Sequence, residues 1–355
     1  MNNEFLSLLI NGNASVKEAI KLLDKNDEKI LFVVDDENRL IGSLTDGDVR
    51  RWILKEGSLK ENVSKACFGG TYWAGQNADI NLIKEEIQKM GIEFVPILDE
   101  NKRIIDFLIW EKLFDGKVKR TTIEKLEIPV IIMAGGKGTR LDPFTKVLPK
   151  PLIPIGDKTI LEIIFDKFTE YQVDHFYLSI NHKAKIIKSY FEELQPEYSI
   201  TYLYEYKPLG TVGAIKQLEG QFEGDFLLTN CDIIIDTNYT DLLKFHRENK
   251  NDITLVATLK HYNIPYGICE IENGGTLVNI KEKPEFDFLI NTGMYLISAD
   301  LIKFIPLNEF FHITDLMKVV QKSGKKVGVY PISENSWTDI GEWIEYKKAV
   351  EKLRL

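Results

Sequence analysis

Apolar positions in the first third of the chain follow one pattern stated twice. Residues 30–45 read ILFVVDDENRLIGSLT and residues 94–109 read FVPILDENKRIIDFLI, which align without a gap at an offset of 64 residues. Each is an apolar run, an acidic Asp/Asn turn and a second apolar run, the pattern of a β-hairpin. Apolar residues at helical spacing precede each hairpin, Val16 to Leu23 before the first and Ile80 to Met90 before the second. Residues 1–118 therefore predict a tandem pair of small α/β units.

The stretch GKVKRTTIEKLEI is polar and charged, and predicts a linker over residues 119–128. From Pro129 to Leu355 the texture changes. PVIIMAGG reads as a short buried strand ending in glycines. Strand-like HFYLSIN, SITYLYEY, DFLLTNCD and ITLVATL then alternate with helix-like ILEIIFDKFTEY, KIIKSYFEEL, AIKQLEGQF and TDLLKFHREN. That alternation predicts an α/β fold, Rossmann-like, with a mixed and mostly parallel sheet covered by helices. Ligands in such sheets bind beyond the carboxyl ends of the strands, where the glycines after PVIIM fall.

The loop Ala134-Gly135-Gly136-Lys137-Gly138-Thr139-Arg140-Leu141 fits neither of two familiar phosphate motifs. A Walker A loop needs Gly-Lys-Ser/Thr where Arg140-Leu141 stands. A dinucleotide fingerprint from Gly136 needs glycine at Leu141. What remains is a loop whose backbone N–H groups can approach phosphate oxygens beside a fixed cation, Arg140. Lys150 follows, held between Pro149 and Pro151, which stiffen its backbone. Two cations beside a glycine nest suit a polyphosphate, although a tight βα turn with solvated charges would read the same from these residues alone.

Composition narrows the classes. Of 355 residues, 44% are hydrophobic and 28% charged, which argues against extended disorder. A net charge of −9 disfavours general nucleic-acid binding. Cys67, Cys231 and Cys269 are too few and too dispersed for a disulfide framework or a zinc site. No apolar run reaches the roughly 20 residues that cross a bilayer, and the N-terminus lacks a basic, cleavable leader pattern. The expectation is a soluble, cytoplasmic protein. His175, His182, His246, His261 and His312 show no metal-ligand spacing. Phe310-Phe311-His312 reads as the packed start of a helix, and Trp73 and Phe94 read as core.

MAGGKGTRL followed by LPKPLIPIG resembles the signature of sugar-1-phosphate nucleotidylyltransferases, and later motifs match in order over about 129–355. Leu209 to Ile215 is similar to the family's second glycine loop, and Thr229-Asn230-Cys231-Asp232 to its strand-end metal motif. Pro265-Tyr266-Gly267, Glu282-Lys283-Pro284 and Asn291-Thr292-Gly293 resemble its sugar and sugar-phosphate contacts. Trp337-Thr338-Asp339-Ile340-Gly341 resembles the segment of its second metal aspartate. Cys231 departs from the family's usual glycine. In the implied reaction a sugar-1-phosphate oxygen attacks the α-phosphorus of a nucleoside triphosphate and pyrophosphate leaves. The resemblance then implies Mg2+ held by Asp232 and Asp339, with Arg140 on the pyrophosphate and Lys150 bridging α-phosphate and acceptor. It further implies nucleotide contacts from Ala134, Gly135, Gly136, Gly138, Thr139, Glu205, Gly210 and Thr211. Sugar-phosphate contacts fall to Gly267, Glu282, Lys283 and Asn291.

Glu205 bears on the base. Relatives that use uridine or thymidine nucleotides tend to carry glutamine there. A carboxylate can accept both N1–H and N2–H2 of guanine, whereas the acceptor–donor–acceptor edge of uracil or thymine would partly repel it. The expected donor is GTP. A capping role for Glu205 outside the site is the alternative. The two-part layout resembles nucleotidylyltransferases with an N-terminal CBS pair in bacterial legionaminic acid pathways, which implies glucosamine 1-phosphate as acceptor and GDP-glucosamine as product. Mannose- or heptose-1-phosphate guanylyltransferase, and a UTP- or dTTP-using enzyme, remain alternatives. So does a non-catalytic regulator that senses adenylates.

Gly42 to Val49 resembles the CBS ribose motif, in which Thr45 and Asp48 would contact an adenine nucleotide. At the 64-residue offset stand Ile109 and Lys112, so the second unit has lost the pattern. The pair would otherwise serve as a dimerisation scaffold of a homo-oligomer. No nucleic acid or membrane partner is expected.

Overall fold

The doubled apolar pattern becomes a doubled fold in the computed structural model, which describes residues 3–26, 28–90, 92–110, 113 and 124–352. The first copy runs β1 (Leu9–Asn11), α1 (Val16–Leu23), β2 (Ile30–Val34), β3 (Leu40–Thr45) and α2 (Asp46–Leu54). The second runs β4 (Ala74–Gly75), α3 (Ile80–Met90), β5 (Phe94–Leu98) and β6 (Ile104–Ile109). Each forms a three-stranded sheet in chain order, an antiparallel hairpin with one parallel outer strand. Ser15 starts α1 through a capping box: its N–H donates to the Glu18 carboxylate and its hydroxyl oxygen accepts from Glu18 N–H.

The halves join reciprocally. Leu40 N–H donates to the Lys102 carbonyl at 3.0 Å, and Ile104 N–H donates to the Asn38 carbonyl at 3.2 Å. Each bond is the other displaced by one repeat. Phe32, Val34, Phe94, Leu98, Ile104 and Phe107 share one core between the halves, with the Phe32 and Phe107 rings 4.9 Å apart. A three-stranded sheet this small needs such a partner to bury its apolar face.

Phe94 is core, as expected. Trp73 is not: it is 48% exposed. Trp73 lies in the irregular segment before β4, where no periodicity aims it inward. Lys112 and the expected linker as far as Ile123 lie outside the described residues. Leu126 and Ile128, assigned to that linker, are buried in the second unit's core instead.

The chain divides into units of residues 1–123 and 124–355. The second is built on a seven-stranded sheet. Its elements are β7 (Val130–Ala134), α4 (Ile160–Thr169), β8 (His175–Ile180), α5 (Ala184–Leu194), β9 (Ser199–Tyr204), β10 (Asp225–Asn230), β11 (Ile233–Ile235), α6 (Tyr239–Glu248) and β12 (Ile253–Asn263). They continue through β13 (Ile268–Glu272), β14 (Thr276–Lys281), β15 (Glu285–Ser298), α7 (Ile313–Lys322), β16 (Val327–Ile332), β17 (Trp337–Asp339) and α8 (Trp343–Lys352). The main sheet has the order β9-β8-β7-β10-β15-β12-β16. Only the pairings of β15 with β10 and β12 are antiparallel.

The run VIIMA has no polar position because β7 is buried on both faces. Val130, Ile132 and Ala134 face one core, beneath α4 and α5, while Ile131 and Met133 face the other, beneath α7. The helix expected over AIKQLEGQF is a 3-10 turn at Gly213–Leu218, cut short before Gly220. Two features were not anticipated: the long antiparallel arm of β12 and β15, and the exposed ribbon of β13 and β14 that it carries. Among the described residues no helix is long and apolar enough to cross a membrane.

Candidate active site

Beyond the ends of β7, β9 and β10 opens a cleft of about 520 Å3. It brings together Gly135, Gly136, Gly138, Thr139, Arg140, Lys150, Glu205, Gly210, Thr211 and Asp232 from the sequence-predicted set. Ala134 does not join them. As the last residue of β7 it points into the core beneath the loop, because strand alternation turns it away while its neighbour Met133 reaches the cleft.

The first glycine loop is shaped for close approach. Gly138 has φ +68°, and a side chain there would meet Lys150 Cβ at 2.8 Å and Thr145 Cγ2 at 3.0 Å, so only glycine fits. Lys150 opens a 3-10 turn behind Pro149 and is buried. Its ammonium pairs with the Asp232 carboxylate. Arg140 is exposed, its guanidinium 3.0 Å from Glu342 Oε1.

Asp232 follows β10, and Asp339 ends β17, which pairs with β11. Ile340 N–H donates to the Asp232 carbonyl at 2.9 Å and draws the two segments together. A side-chain carbon on Gly341 would fall 2.8 Å from Asp339 Oδ1, 3.4 Å from Asp232 Oδ2 and 3.6 Å from Arg140 Nη2. Two carboxylates and a guanidinium thus ring one small space that glycine leaves open. Burial pushes the Asp339 carboxyl above its ordinary range, and the negative charge of Asp232 adds to this, against the Gly341 N–H that donates to it at 2.6 Å. A divalent cation would relieve that crowding. Among the described residues no three His, Cys, Asp or Glu side chains converge. The donor set is therefore a two-carboxylate platform to be completed by substrate oxygens and water, which fits magnesium. Cys231 leaves this intact: burial pushes its thiol up to about 12, and its N–H donates to the Met133 carbonyl.

Glu205 is buried at the cleft wall, and its carboxylate is fixed from two sides. Ser179 Oγ donates to Oε1, and Leu209 N–H donates to Oε2 at 3.1 Å. Asn181 Nδ2 donates to the Glu205 carbonyl at 2.6 Å. Each carboxylate oxygen retains a lone pair for a ligand. Ser179 and Asn181 are missed from sequence, where only their polarity at the end of HFYLSIN marks them. Gly210 has φ +77°, and Phe311 O would lie 2.5 Å from any side chain there. Thr211 Oγ1 accepts from Ile313 N–H at 2.8 Å, at the start of α7. The expectation for Phe310-Phe311-His312 holds for Phe311, which packs on the core, and for His312, which caps α7, its N–H donating to the Asp315 carboxylate. Phe310 lines the cleft.

A second missed group holds the signature loop from outside. Trp343 Nε1 donates to the Asp142 carbonyl at 2.8 Å, and the Trp343 and Phe144 rings lie 4.8 Å apart. Tyr346 Oη donates to the Pro154 carbonyl at 2.8 Å. The aromatic pair at the start of α8 is the signal that could have marked it.

Gly267 and Glu282 face each other at the base of the β13–β14 ribbon, where a side chain on Gly267 would lie 2.9 Å from Glu282 Oε2. Lys283 follows Glu282, and Asn291 lies on β15, accepting from Gly293 N–H at 2.9 Å. None of these four lines the cleft.

In the first unit, Thr45 lines a separate cavity of about 620 Å3 with Ser43, Tyr72 and Phe94. Asp48 is not among its walls. Its buried carboxylate accepts from Thr45 N–H at 2.9 Å and Thr45 Oγ1 at 2.7 Å, and pairs with Arg51 at 2.5 Å. Asp48 is thereby committed to the start of α2.

The nucleotidyl transferase family model matches residues 129–354, and the CBS domain model matches residues 7–55. The chain belongs to the nucleotidyl transferase family, with a CBS domain at its N-terminus. It is 28% identical over 242 residues to a UTP–glucose-1-phosphate uridylyltransferase of Synechocystis sp., a match covering 62% of each chain. The chain thus spans less than two thirds of that relative's length. It is 30% identical to a D-glycero-alpha-D-manno-heptose 1-phosphate guanylyltransferase of Campylobacter jejuni, covering 59% of this chain and 93% of that one. The crystal structure of HddC from Yersinia pseudotuberculosis matches with a TM-score of 0.51 at 26% identity, covering 64% of this chain and 99% of that one. HddC is also solved complexed with GMP-PN.

Proposed function

We propose that the protein transfers a guanylyl group from GTP to a hexosamine 1-phosphate, glucosamine 1-phosphate before others, and releases pyrophosphate. The observation that carries this reading is one cleft in which the glycine loop, Arg140, Lys150, Asp232 and Glu205 converge. The loop's backbone N–H groups would cradle the triphosphate. Arg140, exposed and tethered to an exposed glutamate, would turn to the leaving pyrophosphate. Lys150 would exchange Asp232 for the α-phosphate and the incoming phosphate oxygen, so charge is met by groups already in position. Asp232 and Asp339 would hold magnesium, which when bound supplies neutralisation of the phosphate oxygens.

Family membership leaves the base open, since relatives are named for uridylyl as well as guanylyl transfer. Glu205 supports GTP: a fixed carboxylate accepts two adjacent donors, and guanine offers them. The GMP-PN complex of HddC supports the same choice. Gly267, Glu282, Lys283 and Asn291 would meet the sugar phosphate, a role that rests on the motif order. The first unit serves as a dimerisation scaffold in this reading. The commitment of Asp48 to its helix favours that role over adenylate sensing. Three free cysteines support a reducing, cytoplasmic setting.

Glu205→Gln tests the base assignment. The variant is expected to lose preference for GTP and to gain turnover with UTP or dTTP in a pyrophosphate-release assay. Unchanged nucleotide ratios would remove Glu205 from base reading.

A further inference from the structure

We infer that Phe310 stacks on the nucleobase, so that the cleft reads a base by its face as well as its edge; this rests on the nucleotide reading of the cleft. Phe310 is 60% exposed, an unusual setting for a phenylalanine on a well-fixed loop. It stands at the cleft wall with Glu205, Pro208, Gly210 and Thr211. Its place there is set by backbone, not by chance of rotamer. Phe311 N–H donates to the Leu209 carbonyl at 2.9 Å, and Val212 N–H donates to the Phe311 carbonyl at 3.2 Å. These bonds zip the Phe310 loop to the second glycine loop, and the missing side chain of Gly210 lets the two backbones touch. The Phe310 ring meets the His312 ring edge-on at 4.6 Å, which restrains its swing.

The two readers divide the work. Glu205 accepts from N–H groups and so separates guanine from adenine or hypoxanthine. Phe310 offers a π-face, which rewards the larger area of any purine over a pyrimidine. Neither role needs the other residue, so the two substitutions should give different signatures.

The experiment uses the full chain and compares GTP, ITP, ATP and UTP by steady-state kinetics and by calorimetric binding. Phe310→Ala is expected to weaken all three purine triphosphates about tenfold, UTP less, with kcat little changed. Phe310→Trp should restore purine binding. Glu205→Gln should weaken GTP selectively. Unaltered purine affinity in a Phe310→Ala variant that melts with the wild type would overturn the inference while leaving the GTP reading intact. Equal weakening of all purines in Phe310→Ala, with no GTP-selective loss in Glu205→Gln, would uphold stacking and discard the guanine reading.

Discussion

Lys150 and Asp232 pair with each other in the cleft, and in the proposed reaction Lys150 would leave that pair for the phosphates. Lys150 is buried and its backbone is stiffened by flanking prolines, so its ammonium is held in place. Lys150→Ala is expected to lower kcat by about 10²–10³, the usual loss when one preorganised group facing developing charge is removed. Pyrophosphate release with GTP measures it, and near wild-type turnover would contradict the role. At the level of position, the structure gathers Arg140, Lys150, Asp232 and Glu205 in one cleft, where motif and chemistry placed them. Ser179 and Asn181 were not legible in the sequence, because their partner Glu205 lies at the end of the next strand, more than twenty residues on. Ala134 was assigned from its neighbours' chemistry, and strand alternation turned it inward.

At the scale of elements, α8 acts as an outer brace for the signature loop. Trp343 joins it both by a hydrogen bond to Asp142 and by ring contact with Phe144. Trp343→Phe keeps the ring and removes the N–H, so stability should fall by about 1 kcal/mol. The KM for GTP should rise a few-fold, with kcat nearly constant, if the brace positions the loop. A loss of stability with no change in KM would reduce the contact to packing. The elements with strong periodicity, α1, α3 and the two hairpins, formed where the apolar positions put them. The arm of β12 and β15 escaped notice because each strand is buried at one end and exposed at the other, so neither alternation nor a continuous apolar run spans it. The expected linker was too long by Leu126 and Ile128, two apolar residues among charges that the second core recruits.

For the molecule as a whole, acid stability should depend on Asp225 at the start of β10. His246 Nε2 lies 3.4 Å and Arg247 Nε 2.9 Å from its carboxylate, which is only 14% exposed. The close approach of His246, then the hydrogen bond from Arg247, hold its pKa down to about 2, against a burial that opposes them. A depressed carboxylate stabilises the fold above its unfolded pKa of about 4 and loses that contribution as pH falls toward 2, about 2 kcal/mol in all. Asp225→Asn should therefore be less stable than wild type at neutral pH, and the gap should close between pH 4 and 2 in urea melts. A gap independent of pH would show that the ion pair is not its source.

The central claim, guanylyl transfer to a sugar phosphate in the second unit, is tested most directly by pyrophosphate release in magnesium. Glucosamine 1-phosphate is the acceptor, offered with GTP, UTP, dTTP, CTP and ATP in turn. Release with GTP far above the other four is the result predicted from Glu205 and the loop around it. Release with UTP or dTTP in place of GTP, or none with any of the five, would contradict it.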